Sequence, residues 1–128
     1  AKAAGVGPFI AMMVVDTYYE ADQEIFRTGL NSLQEQCQRS YGTQFENVTA
    51  AQRLALLVSL DAEQHQYTQN REHGAPAHYF RMLKELTLLG YFTSEIGYTQ
   101  AMRYAETPGR YDPCVPYRPG EKSWADHA

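Results

Sequence analysis

The stretch Tyr79-Phe80-Arg81-Met82-Leu83-Lys84-Glu85-Leu86-Thr87-Leu88-Leu89 decides the fold class of this chain. Its apolar residues recur three and four positions apart, which is the spacing of one face of an α-helix. Phe80 and Leu88 point away from that face, so the helix has more apolar surface than an outer helix of a small bundle needs. Two interpretations stay open. The segment is either a central core helix or a helix whose second apolar face docks on a partner protein.

Two helices are predicted before this one. The first covers residues 8–15, with Pro8 as its first residue, where the missing N–H of proline does not weaken the helix. The second covers residues 20–41, and its apolar side chains follow helical spacing. Gly42 is expected to end it in the left-handed conformation.

The third and fourth helices have clear start signals. Thr49 and Gln52 form the pattern of a capping box, in which each side chain bonds the backbone N–H of the other residue. The third helix is expected to end near Gly74. Pro76 is expected to open the fourth helix, and Gly90 is expected to end it.

The last part of the chain changes character. Thr93 or Ser94 is expected to cap a short fifth helix that reaches Tyr104. Beyond it lie four prolines, which fix φ and remove backbone donors, so the chain continues as an extended segment. The predicted fold is therefore all-α and a single domain: a small bundle of about five helices at residues 1–105, with an extended Pro/Tyr-rich tail at residues 106–128.

Composition excludes several classes of partner. The chain of 128 residues has 11 basic and 15 acidic side chains and no basic block, so nucleic acid is not expected as a partner. The longest nearly apolar run, Val6 to Val15, is about half the length of a membrane-spanning helix, so no span is expected. The 10 tyrosines suit either a Tyr-rich core or a protein interface.

The sequence offers little support for chemistry of its own. Asp61 and His65 lie four positions apart and could share a metal, but the chain lacks the Glu-x-x-His pairs of a di-iron bundle, so a helix-surface pair is favoured. Cys37 and Cys114 do not have the spacing of metal ligands. Gly5-Val6-Gly7-Pro8 is too short for a phosphate-binding loop. We therefore expect no catalytic, cofactor-binding or metal-ligating residue in this chain.

The fourth helix continues into a longer signature, Lys84-Glu85-Leu86-Thr87-Leu88-Leu89-Gly90-Tyr91-Phe92-Thr93-Ser94-Glu95-Ile96-Gly97. Weaker support comes from Ala4-Gly5-Val6-Gly7-Pro8-Phe9-Ile10, Ala101-Met102-Arg103-Tyr104, Pro108-Gly109-Arg110-Tyr111-Asp112 and Cys114-Val115-Pro116. Together these segments cover most of the chain and resemble the gluconate 2-dehydrogenase subunit 3 family.

The resemblance implies a small helical subunit without an active site. Its partner would be a large flavoprotein of the glucose–methanol–choline (GMC) oxidoreductase type, which carries FAD and oxidises sugars, glycosides or sugar acids. A cytochrome c subunit with haem c often completes such complexes. The resemblance also implies a periplasmic location, reached by twin-arginine export. The chain begins at Ala1 rather than Met, so we expect that a preceding segment with the signal has been removed.

The excess apolar surface and the aromatic tail suggest where a partner would bind. We expect core-to-interface positions at Leu86, Leu89, Tyr91, Phe92, Tyr104, Tyr111, Tyr117 and Trp124. For the cysteines we expect a Cys37–Cys114 bridge, with a disulfide from Cys114 to the large subunit as the alternative. The alternative function is an independent helical protein-binding module or a homodimer without a flavoprotein partner.

Overall fold

The computed structural model of the chain describes residues 1–105, 109 and 114–126. Over these residues the fold is mostly helical, which confirms the predicted all-α class. The elements are α1 (Val6–Thr17), α2 (Glu20–Tyr41), a 3₁₀ turn (Phe45–Asn47), α3 (Ala50–Asn70), α4 (Tyr79–Phe92), a π-helix (Gly97–Ala101), and the three-residue strands β1 (Arg103–Ala105) and β2 (Trp124–Asp126).

The chain divides into two compact units. The core unit is Ile10–Leu86, and the tail unit combines Ala1–Phe9 with Thr87–Ala128. The division expected from the sequence, at residues 105 and 106, stays a prediction.

The core unit is built around two hydrophobic clusters. In the first, Leu60 of α3 and Cys37 of α2 are 1% and 0% exposed. In the second, Phe26, Met82 and Leu86 pack with apolar side chains of α1. The buried positions of α2 follow one another at intervals of three and four residues, as one helix face requires.

Gly29 allows the close approach of α2 and α4 inside the core unit. A Cβ atom at this position would lie 2.0 Å from Cγ of Tyr79. Only a glycine leaves room for the Tyr79 ring against the α2 backbone. Position 29 therefore requires glycine because of packing and not because of a turn.

Several helix ends agree with the predictions from sequence. The bounds of α2 are confirmed, and Gly42 adopts φ 70° while its N–H bonds the Gln38 carbonyl. The capping box of Thr49 and Gln52 is also confirmed at the start of α3. The predicted start of α4 at Pro76 is wrong. The helix begins at Tyr79, because the preceding His78 accepts a hydrogen bond at Nδ1 from the Phe80 N–H at 3.2 Å.

The predicted end of the fourth helix, which lies in the tail unit, is wrong. Gly90 does not end α4, which runs on to Phe92. A Cβ atom at Gly90 would lie 2.5 Å from Cδ1 of Phe9, so this glycine makes room for an aromatic ring. Ser94, one of the two expected caps, accepts the Gly97 N–H at Oγ at 3.1 Å.

The expected fifth helix is shorter than predicted. It ends as a π-helix at Ala101, and Arg103–Ala105 forms a strand instead. This strand pairs in parallel with β2 in the register Arg103↔Trp124 and Tyr104↔Ala125. The end of the extended tail therefore returns to the segment that precedes it.

Helix α1 is apolar on nearly every side. Ile10, Met13 and Val14 pack in the core unit, while Met12 and Val15 are exposed. With 12 residues, α1 is short. No helix in the described ranges is long and apolar enough to cross a membrane.

Candidate partner-binding surface

The tail unit exposes a set of large apolar and aromatic side chains. Over its described residues, this exposed set comprises Leu88, Leu89, Phe92, Tyr104, Val115, Tyr117 and Trp124. All of these except Leu88 and Val115 are among the core-to-interface positions expected from the sequence.

The first part of the exposed set lies on the last turns of α4. Leu88, Leu89 and Phe92 are 48%, 45% and 39% exposed, and Phe92 lies four residues after Leu88 and three after Leu89, so its side chain neighbours both. Leu86, another of the expected core-to-interface positions, is buried among the apolar side chains of the core unit. The boundary between core and surface on α4 thus falls between Leu86 and Leu88.

The other expected interface residues are aromatic. Tyr91 is half-buried, with its ring at 72° to the Phe92 ring and a centroid distance of 5.2 Å. Tyr104, Tyr117 and Trp124 are exposed. Tyr111 lies outside the residues that the structure describes. Contact of any of these side chains with a partner stays a prediction.

Trp124 is held in place although it is exposed. The Arg103 guanidinium lies 4.5 Å from the centre of its ring. The Arg103 side chain also donates from Nε to the Lys122 carbonyl at 2.9 Å, and it lies 3.6 Å from the Glu121 carboxylate. Lys122 in turn donates from Nζ to the Gln100 carbonyl. We call these contacts the Arg103 clasp. It gives an exposed indole a fixed position, which lowers the entropy lost when a partner binds.

A small open pocket adjoins the end of α4. Its volume is about 320 Å³, and its lining consists of Thr93, Ser94, Glu95, Tyr98, Thr99 and Tyr104. The rings of Tyr98 and Tyr104 are 5.7 Å apart at 60°. The turn that forms the pocket depends on Gly97, where a Cβ atom would lie 1.9 Å from the Tyr91 carbonyl oxygen. Glu95 and Tyr98 were not singled out from the sequence, because only the π-helix brings them together with Tyr104.

The Asp61 carboxylate is bound by neighbouring side chains. Lys84 donates from Nζ to both Asp61 oxygens, at 2.7 and 2.9 Å, and Gln64 donates to Oδ1 at 3.1 Å. The Lys84 hydrogen bond holds the pKa of the Asp61 carboxyl below its ordinary value. His65 lies 3.8 Å from the same carboxylate. In the described part of the chain, no group of three or more metal-ligating side chains occurs.

An open groove of about 570 Å³ lies beside Tyr79 in the core unit, and its lining is mainly apolar. The Tyr79 hydroxyl is buried without a hydrogen-bond partner. Burial, aided by the Glu63 charge, raises the pKa of this hydroxyl. A phenol with a raised pKa stays protonated near neutral pH.

Both cysteines are free in the structure. Cys37 is buried in the first cluster of the core unit, and Cys114 is exposed. The expected Cys37–Cys114 bridge is therefore not present in it. The alternative, a disulfide from Cys114 to a large subunit, stays a prediction.

Comparison with known proteins identifies the family. No curated protein and no solved structure matches the chain. The family model for gluconate 2-dehydrogenase subunit 3 matches residues 1–109, which include α1 to α4, the π-helix and β1. The matched part contains the pocket and three members of the exposed set on α4. The chain belongs to the gluconate 2-dehydrogenase subunit 3 family, which implies an accessory subunit of a dehydrogenase complex.

Proposed function

We propose that this chain is a non-catalytic small subunit that binds, stabilises and helps export a large GMC-type FAD-dependent dehydrogenase. The large subunit would hold FAD and the substrate pocket, and would oxidise sugars, glycosides or sugar acids in the periplasm. A cytochrome c subunit with haem c is a further expected partner. This chain would contribute a binding surface.

The exposed set of the tail unit is the observation that carries the proposal. Soluble proteins seldom leave apolar side chains clustered on a surface unless another molecule covers them. On α4, Leu88, Leu89 and Phe92 form such a group. Tyrosine and tryptophan are enriched at protein interfaces. The exposed set includes three such residues, Tyr104, Tyr117 and Trp124.

The form of this surface suits a partner that is already folded. We expect the end of α4 and the indole in the Arg103 clasp to be rigid elements. Rigid elements bind a preformed surface with little ordering cost. A chain that accompanies a folded flavoprotein through the twin-arginine route needs this kind of recognition.

Co-expression with the dehydrogenase encoded by the neighbouring gene tests the binding. We expect a stable one-to-one complex that carries the flavin absorbance, and a lower yield of soluble flavoprotein when this chain is omitted. Purification of both chains as separate, well-behaved proteins that do not associate would contradict the proposal.

Export is tested separately by placing a twin-arginine signal in front of this chain. The flavoprotein is expected to reach the periplasm only when it is co-expressed with the signal-bearing chain. A variant signal with both arginines replaced by lysine is the matched control. Export of this chain without the flavoprotein would limit its role to binding and stabilisation.

A homodimer is a second candidate, and helix α3 favours it. Leu54 and Val58 lie one turn apart and are 63% and 60% exposed. Alanines at positions 51, 55 and 62 extend this apolar face. Mass determination under native conditions separates the candidates. A stable dimer that dissociates in the Leu54→Ser, Val58→Ser double variant would favour the homodimer, and a monomer that joins the flavoprotein would favour the accessory subunit.

A further inference from the structure

We infer that the pocket at the end of α4 binds an arginine side chain of the large dehydrogenase subunit. This inference rests on the proposed function and specifies the chemistry of one contact in it. The pocket is formed within the tail unit by Thr93, Ser94, Glu95, Tyr98, Thr99 and Tyr104.

The size of the pocket fits one side chain. Its volume of about 320 Å³ lies at the lower end of the range for small-molecule sites. A cofactor as large as FAD would not be enclosed by it. Because Thr93 directly follows Phe92, the pocket adjoins the exposed apolar turn of α4. An anchor pocket beside apolar contacts that exclude water is the usual arrangement of an interface hot spot.

The charge of the pocket calls for a cation. Among the described residues that line it, Glu95 is acidic. The Glu95 backbone carbonyl accepts a hydrogen bond from Thr99 Oγ1 at 2.7 Å, but in the described part of the tail unit its carboxylate makes no ion pair. Glu121 of the same unit, by contrast, pairs with Arg103 at 3.6 Å. An interface that covered Glu95 without supplying a positive charge would bury an uncompensated carboxylate, which is strongly unfavourable.

The aromatic lining favours arginine over lysine. Tyr98 and Tyr104 line the pocket together with Glu95, and their ring centroids are 5.7 Å apart at a tilt of 60°. A guanidinium group stacks on aromatic rings and can donate two hydrogen bonds to one carboxylate, whereas an ammonium group is a strongly hydrated point charge.

The chain already contains the same combination. In the Arg103 clasp, one guanidinium lies over the Trp124 ring and beside the Glu121 carboxylate. The pocket repeats the aromatic and acidic parts of that arrangement, and the large subunit would supply the arginine.

The substitution Glu95→Gln tests the charge. It keeps the size of the side chain, and circular dichroism is expected to show an unchanged fold. In the complex with the co-encoded dehydrogenase, we expect the affinity to fall by about 10- to 100-fold, as for the loss of one partner of a covered charge pair. We also expect affinity to depend less on salt in the variant than in the original chain.

The matched control is Glu72→Gln. Glu72 is also an exposed glutamate without an ion pair in the described residues, but it lies in the core unit. This variant is expected to bind the dehydrogenase as the original chain does. An equal loss of affinity in both variants would indicate a general effect of net charge and would overturn the inference.

Photo-crosslinking identifies the group that enters the pocket. A photoreactive phenylalanine analogue at Gln100, which is exposed next to the pocket and does not line it, is expected to capture a peptide of the large subunit that contains an arginine. A captured peptide without arginine, or unchanged affinity in Glu95→Gln, would overturn the inference while the complex itself stands. If the original chain does not bind the dehydrogenase at all, the proposed function fails and the inference fails with it.

Discussion

Both halves of α4 are rich in large apolar side chains, but the surroundings of these side chains are opposite. In residues 79–86, the side chains of Tyr79, Phe80, Met82 and Leu86 are buried in the core unit. In residues 87–92, the side chains of Leu88, Leu89 and Phe92 are exposed on the tail unit. Apolar content alone therefore does not tell which part of a helix builds the fold. The first half forms the core, and the second half is available for a partner.

The core interpretation is confirmed for the first half of the helix, whereas docking of the second half on a partner stays a prediction. Phe80, which lies off the main apolar face, is part of a core cluster. Leu88, which also lies off that face, is exposed. The excess apolar surface of the helix thus has two different causes.

Equal truncations on the two halves are expected to separate these causes most strongly. Leu86→Ala removes a buried side chain and should lower the free energy of unfolding by about 2–5 kcal/mol. Leu89→Ala, three residues later, should change it by no more than about 0.5 kcal/mol, because its side chain is already half in water. Urea denaturation of the two variants measures both values. Equal losses of stability would contradict the comparison.

Packing against glycine gives the next largest effect. Gly29→Ala places a methyl group against the Tyr79 ring and should destabilise the protein by about 1–3 kcal/mol, despite the better helix propensity of alanine. Gly7 is the matched control, since it is helical and a Cβ atom there would have no other atom within 4 Å. Gly7→Ala should leave stability unchanged or raise it by up to about 1 kcal/mol. Thermal denaturation of both variants checks the opposite signs.

The Arg103 clasp is expected to affect order more than stability. Trp124 is the single tryptophan of the chain, so its fluorescence reports this site alone. Arg103→Gln should shift the emission to longer wavelength and lower the anisotropy, with a loss of no more than about 1 kcal/mol in unfolding free energy. Arg39→Gln, which removes a surface ion pair in α2, serves as the control. An unchanged Trp124 signal in Arg103→Gln would show that the clasp does not hold the indole.

The smallest effect concerns the Lys84–Asp61 pair. A carboxyl whose pKa is lowered in the folded state adds stability above its unfolded-state pKa, and that stability is lost as the pH falls through the folded-state value. Lys84→Met should therefore be slightly less stable than the original chain near neutral pH, and the difference should vanish in acid. An NMR titration of Asp61 should show its pKa move up toward the ordinary value. A difference that is independent of pH would assign the effect to packing instead.

The elements that the sequence predicts well depend on local signals. The bounds of α2 follow from helical spacing and Gly42, and the start of α3 follows from Thr49 and Gln52. These signals act within a few residues along the chain. They therefore need no knowledge of the rest of the fold.

The features that were not predicted from the sequence depend on residues far apart in the chain. From the sequence, Gly90 was expected to end a helix. In the structure its role is to leave space for the Phe9 ring, which lies far away in the chain. Strands of three residues, such as β1 and β2, are too short to show an alternating pattern, and their pairing joins segments about 20 residues apart. The pocket was missed for the same reason, since it needs Tyr104 of β1 beside Glu95.

The central claim is that the dehydrogenase binds specifically to the exposed part of α4. Other exposed apolar faces of the chain, such as that of α3, are not expected to bind it. Its most direct test is the affinity of the purified large subunit for two double variants. Leu89→Ser with Phe92→Ser is expected to fold normally and to lose at least about 2 kcal/mol of binding free energy. Leu54→Ser with Val58→Ser, which alters the exposed face of α3 to the same extent, is expected to bind as the original chain does. Unchanged binding of the α4 variant, or a loss confined to the α3 variant, would contradict the account.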